Sequence, residues 1–214
     1  MTTRTLPTPG AAADVLEALR QATARRHAVL DRSMPLAAHE PTLADYRDHL
    51  AILRAWVAPI EKWLAGHDDG PNAHAMLVPI GRTPLIDADL YDPAAARPVP
   101  TIVETAWPKA PSTAAYRWGV AYVLEGSQLG GAVLYRRLRE RLAPHPLRYL
   151  DGGSEPVGER WRRFVQAMRS DVTAAPEIAD ACKGAVDAFD CLISLLTDFS
   201  AARGAPMQVD HSPG

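Results

Sequence analysis

The stretch AYVLEGSQLGGAVL, residues 121–134, decides how this chain is read. Its apolar spacing is helical, yet it carries Gly126, Gly130 and Gly131 within six positions. Each glycine inside a helix costs about 1 kcal/mol relative to alanine. Gly126 and Gly130 lie four apart and open one face, and Gly119, seven residues before Gly126, extends it. A face without side chains lets the backbone approach a flat partner closely, either a neighbouring helix or a planar ligand. Glycines also let a helix kink, so the helix expected over 113–143, capped by Ser112, is expected to be interrupted around them.

Working outward, the other segments are helical too. Val15, Leu16, Leu19, Ala22, Val29 and Leu30 recur at helical spacing over 11–32. Thr42 with Asp45 forms a capping-box pattern for a second helix to about residue 65, with Pro59 expected to bend or divide it. A short helix is expected over 73–80, a proline-rich surface loop with at most one helical turn over 81–111, and a loop over APHPLRYLDGGSEP. Helices over 156–173 and 176–201 complete the set. No stretch alternates as a strand does. The expectation is an all-α bundle of six or seven helices in one domain, 11–203, between loose tails at 1–10 and 204–214.

The chain has 214 residues, 22% charged and 47% hydrophobic, with a formal net charge of -2. Nothing in that balance asks for nucleic acid as a partner. No apolar run approaches the ~20 residues of a membrane span, and the first residues lack the apolar core of a secretory signal, so a cytoplasmic location is expected. Cys182 and Cys191 fall in one expected helix, roughly 13 Å apart along its axis, too far for a disulfide.

Arg20, Ala24, His27 and Asp31 follow one another at steps of four, three and four and share one helical face. A helix-surface histidine commonly serves as a solvated or capping residue. The sharper reading is an axial iron ligand, with Asp31 orienting the second ring nitrogen. Ala24 leaves room for a planar group, and Arg20, about 10 Å along the axis, reaches a porphyrin propionate.

AYVLEGSQLGG, together with RRHAVLD upstream, resembles the heme oxygenase family, in particular its bacterial biliverdin-producing branch associated with bacteriophytochromes. The resemblance spans roughly residues 14–200. It implies a heme-oxygenase-like helical bundle that holds haem, both substrate and cofactor, between a proximal and a distal helix. His27 matches the proximal iron ligand and Asp31 the acidic residue beside it. Gly126, Gly130 and Gly131 match the distal glycines, and Arg20 a propionate contact. Arg162, and more weakly Tyr122, match a second propionate partner. With molecular oxygen and an external electron donor, a ferredoxin- or flavodoxin-type protein or a reductase, the family yields biliverdin, carbon monoxide and ferrous iron. A bacteriophytochrome is the implied bilin acceptor.

Where many members carry an aspartate after the first distal glycine, this chain has Ser127. A hydroxyl orders water without a charge, or back-bonds to its own helix. Glu125 points to another side and reads as an ion-pair residue. His49, four residues after Asp45, reads as half of a solvated pair. His39, His67, His74, His145 and His211 fall in loops, at loop edges or in the tail. The run RRLRERL at 136–142 reads as a wet helix face, suited also to an acidic redox partner. The five tryptophans read as core or interface. Two other functions fit the pattern: a haem carrier or sensor without turnover, and a helical scaffold in which the glycines merely pack helices.

Overall fold

The computed structural model describes residues 14–92, 102, 107, 112–153 and 155–204. Within them run seven α-helices, α1 Val15–Ser33, α2 Leu43–Leu64, α3 Arg82–Leu90, α4 Ala114–Leu138, α5 Arg148–Asp151, α6 Val157–Asp171 and α7 Ala175–Ala202, with 3₁₀ turns at Pro35–Ala37 and Gly70–Ala73 and no strand. The expected tail at 1–10, nearly all of the one at 204–214, and most of the stretch 93–111 lie outside the described residues.

Helix α7 is the central support. Its apolar stripe, Ile178, Ala181, Ala185, Ala188, Phe189, Leu192, Leu195 and Leu196, is buried, and both α4 and α1 pack along it. Two glycines bring α4 and α7 backbone to backbone. A Cβ on Gly119 would fall 1.8 Å from the Ala181 carbonyl oxygen, and one on Gly184 2.2 Å from that of Tyr116. Gly119 therefore packs helices and does not extend the open glycine face.

Polar groups fix the helix ends. The Asp14 carboxylate accepts from the Leu16 amide at 3.2 Å and pairs with Arg169 of α6 at 2.9 and 2.5 Å. That guanidinium holds the Asp14 carboxyl below its ordinary range. The Thr42–Asp45 capping box forms, with the Asp45 amide donating to Thr42 Oγ1 at 3.3 Å and the Thr42 amide to Asp45 Oδ2 at 2.8 Å. Glu177 accepts from the Thr173 and Ala174 amides at the head of α7.

Several expectations shift. Helix α2 runs through Pro59 undivided. The cap of α4 is Thr113, whose hydroxyl accepts from the Tyr116 amide, while Ser112 accepts from Arg117. Helix α4 passes its glycines without interruption, since none of them takes a positive φ. In place of a helix over 73–80 there is the 3₁₀ turn at Gly70–Ala73, tied down by Asn72 donating to the Leu64 and His67 carbonyls. Helix α3 stands where a loop was expected, because its cap is non-local. Glu61 of α2 accepts from the Arg82 and Thr83 amides at 2.8 and 3.1 Å. The single turn α5 interrupts the expected loop, entered at Leu147 with φ 52° and left at Gly152 with φ 78°. Cys182 and Cys191 are free thiols.

Candidate functional site

Two helix faces border one cavity of about 800 Å³. From α1 come Arg20, Thr23, Ala24, His27, Leu30 and Asp31, and from α4 come Tyr122, Gly126, Ser127, Leu129, Gly130, Gly131 and Val133. Helix α2 contributes His49, Leu53 and Trp56, α5 Tyr149 and Leu150, α6 Trp161, and α7 Phe189 and Leu192. The lining is mostly apolar with a small number of polar groups, most of them on α1 and α4, the usual make-up of a small-molecule site. Leu129 and Val133 are apolar yet exposed, so α4 offers water a greasy edge that a ligand would cover.

On α1 the expected pair forms. His27 Nδ1 lies 2.8 Å from Asp31 Oδ2, and both side chains are 64% exposed. The carboxylate accepts only, so the ring proton sits on Nδ1 and the Nε2 lone pair stays available to a metal. Phe189 flanks the imidazole, ring centroids 6.1 Å apart. The neighbouring Arg26 turns away to pair with Asp190 of α7 at 2.6 and 3.0 Å. Arg20 is exposed at the cavity margin.

On α4 the glycines divide by task. A Cβ on Gly130 would meet no atom within 4 Å; on Gly126 it would touch the Trp161 ring at 3.6 Å, and on Gly131 Leu150 at 3.9 Å. At Gly130 this face opens onto the cavity, while the Trp161 and Leu150 side chains border it at Gly126 and Gly131. Ser127 lines it too, but its hydroxyl donates to the Leu124 carbonyl at 2.8 Å. Of its two readings, the back-bond is the one seen. Burial pushes the Tyr122 phenol up, and its ring rests 5.6 Å from Trp161.

Glu125 is the ion-pair residue its spacing indicated. It is buried between Arg160, which donates at 2.7 Å to each carboxylate oxygen, and Arg82 at 2.9 Å. Burial alone would raise its carboxyl, but the two guanidiniums outweigh it and hold it below the ordinary range.

Three placements differ from expectation. Arg162 is 77% exposed, pairs loosely with Glu159 at 3.9 Å, and does not line the cavity; its neighbour Trp161 does. The run 136–142 is not wholly a wet face. Arg137 donates to the Leu36 and Ala38 carbonyls, and Arg141 to that of Pro41, tying the end of α4 to the segment after α1. His49 is not solvated. It is 7% exposed, lines the cavity, and its Nδ1 has no hydrogen-bond partner. Burial lowers its pKa to about 4, so the ring is neutral near pH 7. A signal for it existed: His49, Leu53 and Trp56 follow at i, i+4 and i+7 on the inner face of α2. Tyr149 was also missed. It is buried, its phenol accepts from Gln128 Nε2 at 3.2 Å, and its amide donates to Asp89.

Among the described residues no group of histidine, cysteine and carboxylate side chains could hold a metal ion unaided, and no helix is long and apolar enough to cross a membrane. The family model for heme oxygenase matches residues 13–198, and the chain belongs to the heme oxygenase family. A heme oxygenase of Xanthomonas campestris pv. campestris (strain 8004) is 44% identical over 86 residues, which is 39% of this chain and 51% of that relative. The chain thus spans about half the length of the curated relative it matches. The NO- and CO-bound heme oxygenase of Neisseria meningitidis has a similar fold, with a TM-score of 0.68 at 20% identity over 95% of this chain and 98% of that one.

Proposed function

We propose that the protein binds haem between α1 and α4 and, using molecular oxygen and electrons from an external donor, opens it to biliverdin, carbon monoxide and ferrous iron. The observation that carries this reading is the open glycine face. A helix-packing role would fill the space beside Gly130, as Gly119 is filled by α7, and none of the described residues fills it. The residues fit haem. A histidine with a free Nε2 stands on one wall, a side-chain-free backbone on the other, and a cation at the margin.

When bound, haem supplies the iron that activates oxygen and the macrocycle that is cleaved. The chain does the rest. His27 ligates the iron through Nε2, and Asp31 fixes its ring orientation and raises its basicity. Ala24 gives the macrocycle room. Arg20 and Tyr122 would hold the propionates. Gly126, Gly130 and Gly131 bring the α4 backbone close and leave little space for bulk water. The Ser127 oxygen, although its proton is engaged, keeps lone pairs for ordering water. The electron donor is a ferredoxin- or flavodoxin-type protein or a reductase, met by the exposed Arg136 and Arg139. The product passes to a bacteriophytochrome, as in the bacterial branch the sequence resembles, and the setting is the cytoplasm.

One observation favours a second reading, a haem carrier without turnover: the α4 face offers no carboxylate, and the Ser127 hydroxyl is occupied by Leu124. Optical spectra of the haemin-loaded chain, before and after adding reductant in air, separate the two. Turnover makes the Soret band decay while a bilin band grows; a carrier keeps its Soret band; a mere scaffold forms none.

A further inference from the structure

Where the resemblance implies a second cation from the later helix, α6 turns Arg162 to water and sets Trp161 into the cavity lining. The indole is fixed from several sides. It stacks on Phe164, with the planes 16° apart and the centroids 5.8 Å apart, and Phe164 in turn packs edge-on against the buried Trp118 at 5.2 Å. Tyr122 of α4 closes a further side at 5.6 Å. A Cβ on Gly126 would lie 3.6 Å from the ring. One residue back on each helix, Arg160 holds Glu125 through two bonds of 2.7 Å and donates to the Val78 carbonyl at 2.9 Å. That clamp sets the spacing of α4 and α6 where ring and glycine meet. The indole is thus a wall already in place in the haem-free chain.

Charge is distributed unevenly around this wall. Among the described residues the lining holds two guanidiniums, Arg20 and Arg137. Arg137 donates to the Leu36 and Ala38 carbonyls, past the end of α1 that lies far from Arg20. Arg20 stands near Tyr122, whose phenol feels its charge. The one carboxylate of the lining, Asp31, is bound to His27. A ligand carboxylate seated at Trp161 would meet the negative face of an aromatic ring and no lining cation from α6, and burying it unpaired is costly. A vinyl or methyl edge finds there a surface that it buries favourably.

We propose that Trp161 is a specificity-determining residue: its fixed indole makes the α6 side of the cavity accept a tetrapyrrole edge that carries only apolar groups and refuse one that carries a further carboxylate. The inference rests on the haem-binding part of the proposed function. The chain thereby selects a tetrapyrrole whose carboxylates share one edge, near Arg20, over one with carboxylates on every side.

The test titrates two ferric porphyrins into the full chain and follows the Soret band. One is haemin; the other is ferric coproporphyrin III, which carries propionates where haemin has vinyl groups. The parent binds the coproporphyrin complex more weakly by roughly 10–100-fold. Trp161→Phe keeps that ratio. Trp161→Arg supplies the missing cation and lowers the ratio by about tenfold, through tighter binding of the coproporphyrin complex. If Trp161→Arg does not fold by circular dichroism, Trp161→Ala, which lets water in beside the added propionate, must lower the ratio in its place. Equal affinities of the parent for the two porphyrins overturn the proposal and leave the haem-binding reading standing, as does a ratio unchanged in the folded variant. Absence of any Soret band with either porphyrin overturns both.

Discussion

At the scale of single residues, the site is a division between groups legible along one helix and groups that only folding brings together. His27 and Asp31 share a turn, so their 2.8 Å contact was implicit in the spacing. Replacing Asp31 with asparagine keeps shape and removes charge. Haem titration should then show affinity reduced about 10–100-fold, the usual cost of altering the partner of a metal-bound histidine, with overall fold unchanged by circular dichroism. Arg162 shows how narrow such spacing arguments are. One residue along a helix turns the side chain by about 100°, and it is Trp161 that faces the cavity while Arg162 faces water. Tyr149 was hidden for a different reason. Its contacts come from Asp89 and Gln128, which lie on other elements and at no fixed spacing.

At the scale of elements, α4 carries two kinds of glycine on one helix, and substitution separates them. Gly119→Ala pushes a Cβ into the Ala181 carbonyl, so α4 and α7 must part. Urea unfolding should show a loss of about 3 kcal/mol, at the upper end for overpacking. Gly130→Ala meets no atom and gains helix propensity, so the haem-free chain should be more stable by up to about 1 kcal/mol, while the haem-loaded chain shows a shifted Soret band. If both variants lose the same stability, the glycine face is only a packing surface. Seen along the sequence, Gly119, Gly126 and Gly130 form one stripe. Only the path of α7 decides which of them meets a helix. The same holds for α3, invisible to local reading because Gly81 offers no cap and the cap arrives from Glu61, twenty-one residues upstream of Arg82.

At the scale of the whole molecule, one buried histidine and a set of paired or hydrogen-bonded carboxylates make stability depend on pH in two steps. His49 is neutral in the fold, its pKa lowered from 6.5 to about 4 by burial. The unfolded chain binds that proton more readily, so stability is complete above pH 6.5 and falls as pH drops toward 4. The loss is on the order of 3 kcal/mol. The carboxyls of Glu125, Asp14, Asp69 and Glu177 are all held below their ordinary range. Their contribution is complete above that range and is lost as pH falls through the lowered values. Melting temperatures of the haem-free chain across pH 3–8 should show both steps, with His49→Leu deleting the upper one. Glu125→Gln removes the nearest counter-charge of the buried Arg82 and Arg160, leaving them the more distant Glu61 at 3.7 Å and Glu155 at 3.4 Å, and should cost about 3 kcal/mol by urea unfolding at pH 7. The two walls of the cavity also share a single foundation: α1 is joined to α7 by Arg26 and Asp190, and α4 by the interlocked Gly119 and Gly184. A ligand gripped by both walls therefore braces a helix that it touches only at Phe189 and Leu192. Amide hydrogen exchange should slow along most of α7 on loading with haemin, by linkage of binding to opening, so that the longest helix in the fold reports occupancy at a distance.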